Sequence, residues 1–216
     1  MTQGAPGFAG STGRVVIDGP AGPLEVVCNA PSTARRGIAL VAHPHPLQGG
    51  SLDNKVAQTL AKAFFALDYV AVRFNFRGVG ASHGSFDEGE GETEDALTAL
   101  AYARAHYGAH LPVALAGFSF GSYVQTRVAK RFAPERLVLV GPAVRRFAVE
   151  TVPADTIVVH GEHDEIVPLS DVLDWARPQA LPVVVFPGGS HFFHGRLTQL
   201  RDVVVGMWHR GHARSD

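Results

Sequence analysis

The sequence predicts an α/β fold: a mostly parallel, twisted sheet of about eight strands with helices on both faces and no cap domain. Three observations predict it. From Arg14 onward, short runs rich in β-branched residues alternate with longer stretches that carry apolar residues at helical spacing. The last six runs are separated by helices or short crossovers, which is how parallel strands are joined. A chain of 216 residues, 46% hydrophobic and 18% charged, can bury one sizeable core and leaves no room for a second domain.

The first thirteen residues, "MTQGAPGFAGSTG", are rich in Gly, Ala and Ser without periodicity and are expected to form a disordered tail, so the domain is expected to span 14–216. "RVVID" and "LEVVCNA" flank the turn-rich "GPAGP" and read as an antiparallel pair. "GIALVAH" is a buried strand. The next segment places Val56, Leu60, Ala63, Phe64 and Leu67 on one helical face. "YVAVRF" returns as a strand. "ETEDALTALAYARAHYG" is helical, with acidic residues in its first turn where the helix dipole favours them, and with Leu97, Leu100 and Ala101 on one face. "LPVALAG" is the next strand, and Val124, Val128 and Phe132 mark the helix after it. "RLVLVG", "TIVVHG" and "LPVVVFPG" supply three more strands before a closing helix from about Phe193.

Composition excludes several function classes. A formal net charge of −1 provides no field to draw the chain to nucleic acid or anionic lipid. No stretch reaches the roughly 18 apolar residues a spanning helix needs, so no membrane partner is expected. The single cysteine, Cys28, has no partner for an internal disulfide, and no signal-peptide pattern opens the chain, so the cytoplasm is expected. A small-molecule substrate fits this balance, and nothing in it fixes an oligomeric state.

Chemistry in such sheets collects beyond the carboxyl ends of the strands. There, "GFSFG" follows "LPVALA", with Ser119 between Gly117 and Gly121. This G-x-S-x-G pattern, in a strand-turn-helix context, is a nucleophile elbow, and its turn is so tight that only small residues fit on either side of the serine. A serine hydroxyl becomes nucleophilic only when a base takes its proton, so a carboxylate and an imidazole are expected downstream. "TIVVHGEHDEIVP" offers Asp164 after one strand, with Glu162 and Glu165 as competing acids in the same loop. "LPVVVFPGGSHFF" offers His191 after the next. His194 is expected inside the closing helix, and His160 and His163 are expected to pack or cap.

These segments, with "HPHPLQGGSLDNKV" and "RFNFRGVGASHGSFDEGEGE", resemble the α/β-hydrolase superfamily, and within it the short bacterial lidless serine carboxylesterases, over roughly residues 14 to 210. The resemblance implies the α/β-hydrolase fold, a Ser-His-Asp triad at Ser119, His191 and Asp164, and hydrolysis of small carboxylic esters without a cofactor. A thioesterase, a peptidase or amidase would use the same triad. A noncatalytic binding protein on this scaffold is the reading from another class.

The stretch "VAHPHPLQGG" raises a choice of its own. An H-x-H pair can supply two metal ligands, but a catalytic zinc needs a third and none has the usual spacing, so no metal is expected. The resemblance makes this stretch the loop that supplies half of an oxyanion hole, which requires two backbone N–H groups aimed at developing charge. Phe120, following the nucleophile, is one donor. Pro44 and Pro46 have no N–H, which leaves His45 or Leu47, and alignment by position favours His45. Leu47, Phe118 and Phe192 are candidates for the substrate pocket. The glycines of "FRGVGASHG" lack a phosphate-loop ending, and Arg77 is expected to tie loops together. About fourteen residues separate Gly141 from Thr156, too few for a multi-helix lid, so an open site with preference for short acyl chains is expected.

Overall fold

A computed structural model describes residues 10–32 and 35–212. Eight strands form one sheet in the order β1-β2-β4-β3-β5-β6-β7-β8. β1 (Gly10–Gly19) and β2 (Gly22–Pro31) are an antiparallel hairpin, and β2 runs antiparallel to β4 (Tyr69–Phe74). From β4 onward every pairing is parallel, through β3 (Gly37–Ala42), β5 (Val113–Phe118), β6 (Arg136–Val140), β7 (Ile157–Gly161) and β8 (Val183–Phe186). The central strands β3, β4 and β5 are buried along their whole length, as a sheet covered on both faces requires.

Two apolar layers sandwich the sheet. On one face, α1 (Lys55–Ala66) and α5 (Leu197–His212) pack Val56, Leu60, Phe64, Leu200, Val204 and Trp208 against Val41, Ala116 and Val159. The rings of Phe64, Tyr69 and Trp208 meet edge to face at 5.0–5.8 Å, the arrangement aromatic quadrupoles favour. On the other face, α2 (Glu90–Tyr107) and α3 (Phe120–Arg131) cover Val72, Phe74 and Leu115. Asn54 starts α1 by accepting the N–H groups of Val56 and Ala57 on its side-chain oxygen. Three acids of α2 are engaged: Glu92 accepts the N–H groups of Asp87 and Gly89, Asp95 takes both arms of Arg77, and Glu94 pairs with Arg131. Arg77 thus ties the loop after β4 to α2.

Three expectations are corrected. Residues 10–13, assigned to the tail, are strand, because Gly10–Gly13 pair with Cys28–Pro31 of β2; residues 1–9 lie outside the described residues. The buried face of α2 is Glu92, Ala96, Ala99, Leu100 and Ala103, while Ala101 faces outward. The closing helix begins at Leu197, not Phe193, because Phe193 and Gly195 both have positive φ and interrupt helical backbone, so His194 lies before it. A short helix, α4 (Leu169–Ala176), has no counterpart in the sequence reading. Among the described residues no helix is long and apolar enough to cross a membrane.

Candidate active site

β3, β5, β7 and β8 all point their carboxyl ends to one rim, and the loops leaving them converge there. Ser119 sits between β5 and α3 at φ 55° and ψ −117°, a strained conformation for a residue with a side chain. The surroundings over-determine it. Its N–H donates to Val140 O at 2.9 Å, and the Ser122 hydroxyl donates toward the carbonyls of Gly117 and Val140. Beneath the turn, the buried Gln125 amide donates to Leu40 O and Ala116 O and clamps β3 to β5. A Cβ at Gly117 would stand 2.3 Å from Gly121 O, and one at Gly121 would stand 2.3 Å from Ala42 O. The chain therefore passes itself here at a distance only glycine permits.

His191 leaves the β8 loop and Asp164 the β7 loop. The His191 Nε2 lies 3.1 Å from the Ser119 hydroxyl, and Nδ1 lies 2.6 Å from Asp164 Oδ2. The network assigns Nδ1–H as donor to the carboxylate and leaves Nε2 to accept from the hydroxyl. All three are buried, with Ser119 8%, Asp164 7% and His191 2% exposed, so the chain of bonds is shielded from water, and of the three Ser119 borders the cleft described below. Asp164 Oδ1 accepts the N–H groups of Ile166 and Val167. Burial raises the Asp164 carboxyl, but the His191 hydrogen bond and charge and the Val167 N–H outweigh it and hold the group below the usual carboxylate range. The His191 ring rests against Phe118 and Phe192, with centroids 4.9 and 5.1 Å away.

The loop after β3 forms the opposite wall. His43 is fully buried: Nδ1–H donates to Pro44 O at 2.7 Å, and Nε2 accepts the Phe76 N–H at 3.0 Å. That pair of bonds fixes where the chain turns off the strand. His45 caps a single 3₁₀ turn, Pro46–Gln48, with Nδ1 accepting the Leu47 N–H. Its ring lies over Phe86, Phe120 and Phe147. Among the described residues, the backbone N–H groups of His45 and Phe120 have no hydrogen-bond partner. They and Ser119 border one shallow cleft of about 20 Å³. A larger concavity of about 740 Å³ lies between β8 and α5, and Ser119, Asp164 and His191 do not line it.

Phe118 is fully buried beneath His191 and does not border the cleft that holds Ser119, because it occupies the last position of a central strand. Leu47 and Phe192 are 72% and 37% exposed at the rim and do not border the cleft itself. Glu162 accepts the Gly188 N–H and Glu165 the His191 N–H, so both competing acids support the loops and neither bonds the imidazole ring. Cys28 is buried in β2, its thiol pushed up to about 11 by burial, far from any nucleophilic role.

The family model described as "Serine aminopeptidase, S33" matches residues 48–154, a stretch that holds Ser119 but ends before Asp164 and His191. An α/β serine hydrolase homologue from Coxiella burnetii is 40% identical, with 89% of this chain and 95% of that one covered and a TM-score of 0.84. The chain belongs to the α/β serine hydrolases. It is similar to an α/β serine hydrolase without lid from Xanthomonas campestris, at 39% identity, 95% and 97% coverage and TM-score 0.87. It is also 30% identical to an uncharacterized protein of Rickettsia prowazekii, over 83% of this chain and 82% of that one. The connection from Gly141 to Thr156 agrees with a lidless member, since no helix forms there.

Two further residues stand beside the site of this serine hydrolase: His160, expected to pack or cap and found buried, and Arg146, which carried no expectation from the sequence. His160, on β7, is fully buried, donates Nε2–H to Val167 O at 2.9 Å, and places the same nitrogen 3.5 Å from Asp164 Oδ2. Its i, i+4 spacing to Asp164 spans a strand end and a turn, so no regular period relates them. Arg146 borders the cleft from the loop after β6.

Proposed function

We propose that this serine hydrolase is a carboxylesterase that cleaves small esters through an acyl-enzyme on Ser119. The observation that carries the reading is the unbroken chain of bonds from the Ser119 hydroxyl through His191 to Asp164. On this reading Nε2 of His191 takes the hydroxyl proton as Oγ attacks the ester carbonyl, and Asp164 holds the tautomer and balances the imidazolium. The tetrahedral oxyanion rests on the N–H groups of Phe120 and His45, which are unpartnered and so cost nothing to redirect. His191 then returns the proton to the departing alcohol. Water repeats the sequence on the acyl-enzyme to release the acid.

The short, helix-free connection from Gly141 to Thr156 leaves the site without a lid, which supports short acyl chains. An aminopeptidase, the activity named by the matched family description, is the second reading. It requires a carboxylate to hold the substrate's free amino group, and among the described residues bordering the cleft there is an arginine and no acid.

Two measurements test the proposal together. A fluorophosphonate should label Ser119, and Ser119→Ala should abolish labelling and lower ester turnover by about a million-fold or to background while leaving the fold intact. Turnover across esters from short to long acyl chains should peak at the short end. Retained hydrolysis in the Ser119→Ala enzyme, or faster cleavage of amino-acid amides than of esters, would overturn the reading.

A further inference from the structure

Two consecutive arginines on the loop after β6 diverge. Arg145 turns outward, its Nε 3.9 Å from Asp171 on α4. Arg146 turns to the cleft that holds Ser119 and, among the described residues, its guanidinium has neither an ion-pair nor a hydrogen-bond partner. Its backbone is not free to wander. The Arg146 N–H donates to Ala143 O, and Phe147 stacks on Tyr123 at 4.8 Å and meets Phe120 edge to face at 5.0 Å. The arginine therefore stands between a buried alanine and a ring packed against the residue after the nucleophile.

The rest of the cleft wall gives that charge nothing to neutralise it. The described residues sharing the cleft with Arg146 contribute imidazole, amide, hydroxyl, aromatic and aliphatic groups but no carboxylate. Asp164 is buried and already committed to His191, Ile166 and Val167. The field of Arg146 reaches the far wall, where it joins burial in disfavouring a proton on His45. Exposed Ile166 gives the cleft an apolar edge, and Gln48 adds a neutral amide.

Building on the esterase reading, we propose that Arg146 is an anion subsite and that the preferred substrates are small esters carrying a carboxylate a few atoms from the scissile carbonyl. A guanidinium grips a carboxylate through two parallel N–H···O bonds, which orients the substrate as well as attracting it. An uncharged ester of the same length would leave the arginine solvated and gain nothing from it.

The test compares matched esters. Mono-4-nitrophenyl esters of succinate and glutarate are paired with neutral acyl esters of the same length, and 4-acetoxybenzoate is paired with its methyl ester, so the anion is offered on either arm. At low ionic strength the wild-type enzyme should favour the anionic member of at least one pair in kcat/KM by about fivefold or more. Salt should erode the preference. Arg146→Gln should bring that ratio to about one and Arg146→Glu should invert it, while Arg145→Gln should keep the wild-type ratio. The same ratio in wild-type and Arg146→Gln enzymes, or no preference on either arm, overturns the proposal and leaves the esterase reading standing. Failure of every ester together with failure of fluorophosphonate labelling would remove both.

Discussion

The backbone N–H of Leu47 donates to Nδ1 of His45, 3.2 Å away, and closes the turn that follows His45. Leu47 is thereby spent as a donor, while the His45 N–H is not. His45 has φ −53°, within the range proline imposes, so a proline can replace it without forcing the backbone. His45→Pro should fold and lower kcat by about 10²–10³-fold, as expected when one oxyanion donor is lost. His45→Ala, which keeps the N–H and removes the ring, should stay within about tenfold of wild type. Steady-state kinetics on a short-chain ester, beside thermal unfolding of both variants, make the comparison. Equal losses would assign the effect to the ring and not to the N–H.

The elbow glycines yield a second expectation. Added methyl groups at Gly117 and Gly121 would meet the carbonyls of Gly121, in the first turn of α3, and Ala42, at the end of β3, at 2.3 Å, and backbone held in a buried helix and strand cannot step aside. Gly117→Ala and Gly121→Ala should each destabilise the protein by about 3 kcal/mol or more. Gly206, within α5, has nothing within 4 Å of its would-be Cβ, so Gly206→Ala should be neutral or stabilising by up to about 1 kcal/mol. Denaturant unfolding of the three variants checks the contrast. A Gly117→Ala protein as stable as wild type would mean the elbow is looser than its geometry.

Legibility in the sequence followed the range of the forces involved. The parallel strands were readable because burial on both faces writes continuous apolar runs, and α1 was readable because all five of its predicted core residues face the sheet. The strand at residues 10–13 was not, since "GSTG" has no strand character of its own and is extended only by pairing with β2. The face of α2 was misjudged because alanines at 96, 99 and 103 do the packing, and alanine marks a core position less plainly than leucine. At the site, Ser119, Asp164 and His191 could be named because each follows a strand and carries distinctive chemistry. That the three meet within bonding distance depends on loop paths. Where the side chains of His160, on β7, and Arg146, on the loop after β6, point depends on local backbone paths, and sequence spacing carries no record of that.

The two buried histidines outside the bond chain from Ser119 set the acid limit of the fold. Burial pushes His43 down to about 3, although its bond to Pro44 O opposes the shift, and burial also lowers His160. Protonating His43 would set an Nε2–H against the Phe76 N–H that it now accepts. In the unfolded chain the same imidazole titrates near pH 6.5. Between about pH 6.5 and 3 the unfolded state therefore binds the proton and the native state does not, so stability is complete above that window and falls as pH drops through it. His43 alone should account for a few kcal/mol of this loss. Asp164 acts in the same direction at lower pH, since its depressed carboxyl stabilises the fold above the unfolded carboxylate value and ceases to do so as pH falls through the folded one. Denaturant titrations at neutral pH and near pH 4.5 should show His43→Gln less stable than wild type at neutral pH but with a smaller drop on acidification. An equal drop in both proteins would locate the acid sensitivity elsewhere.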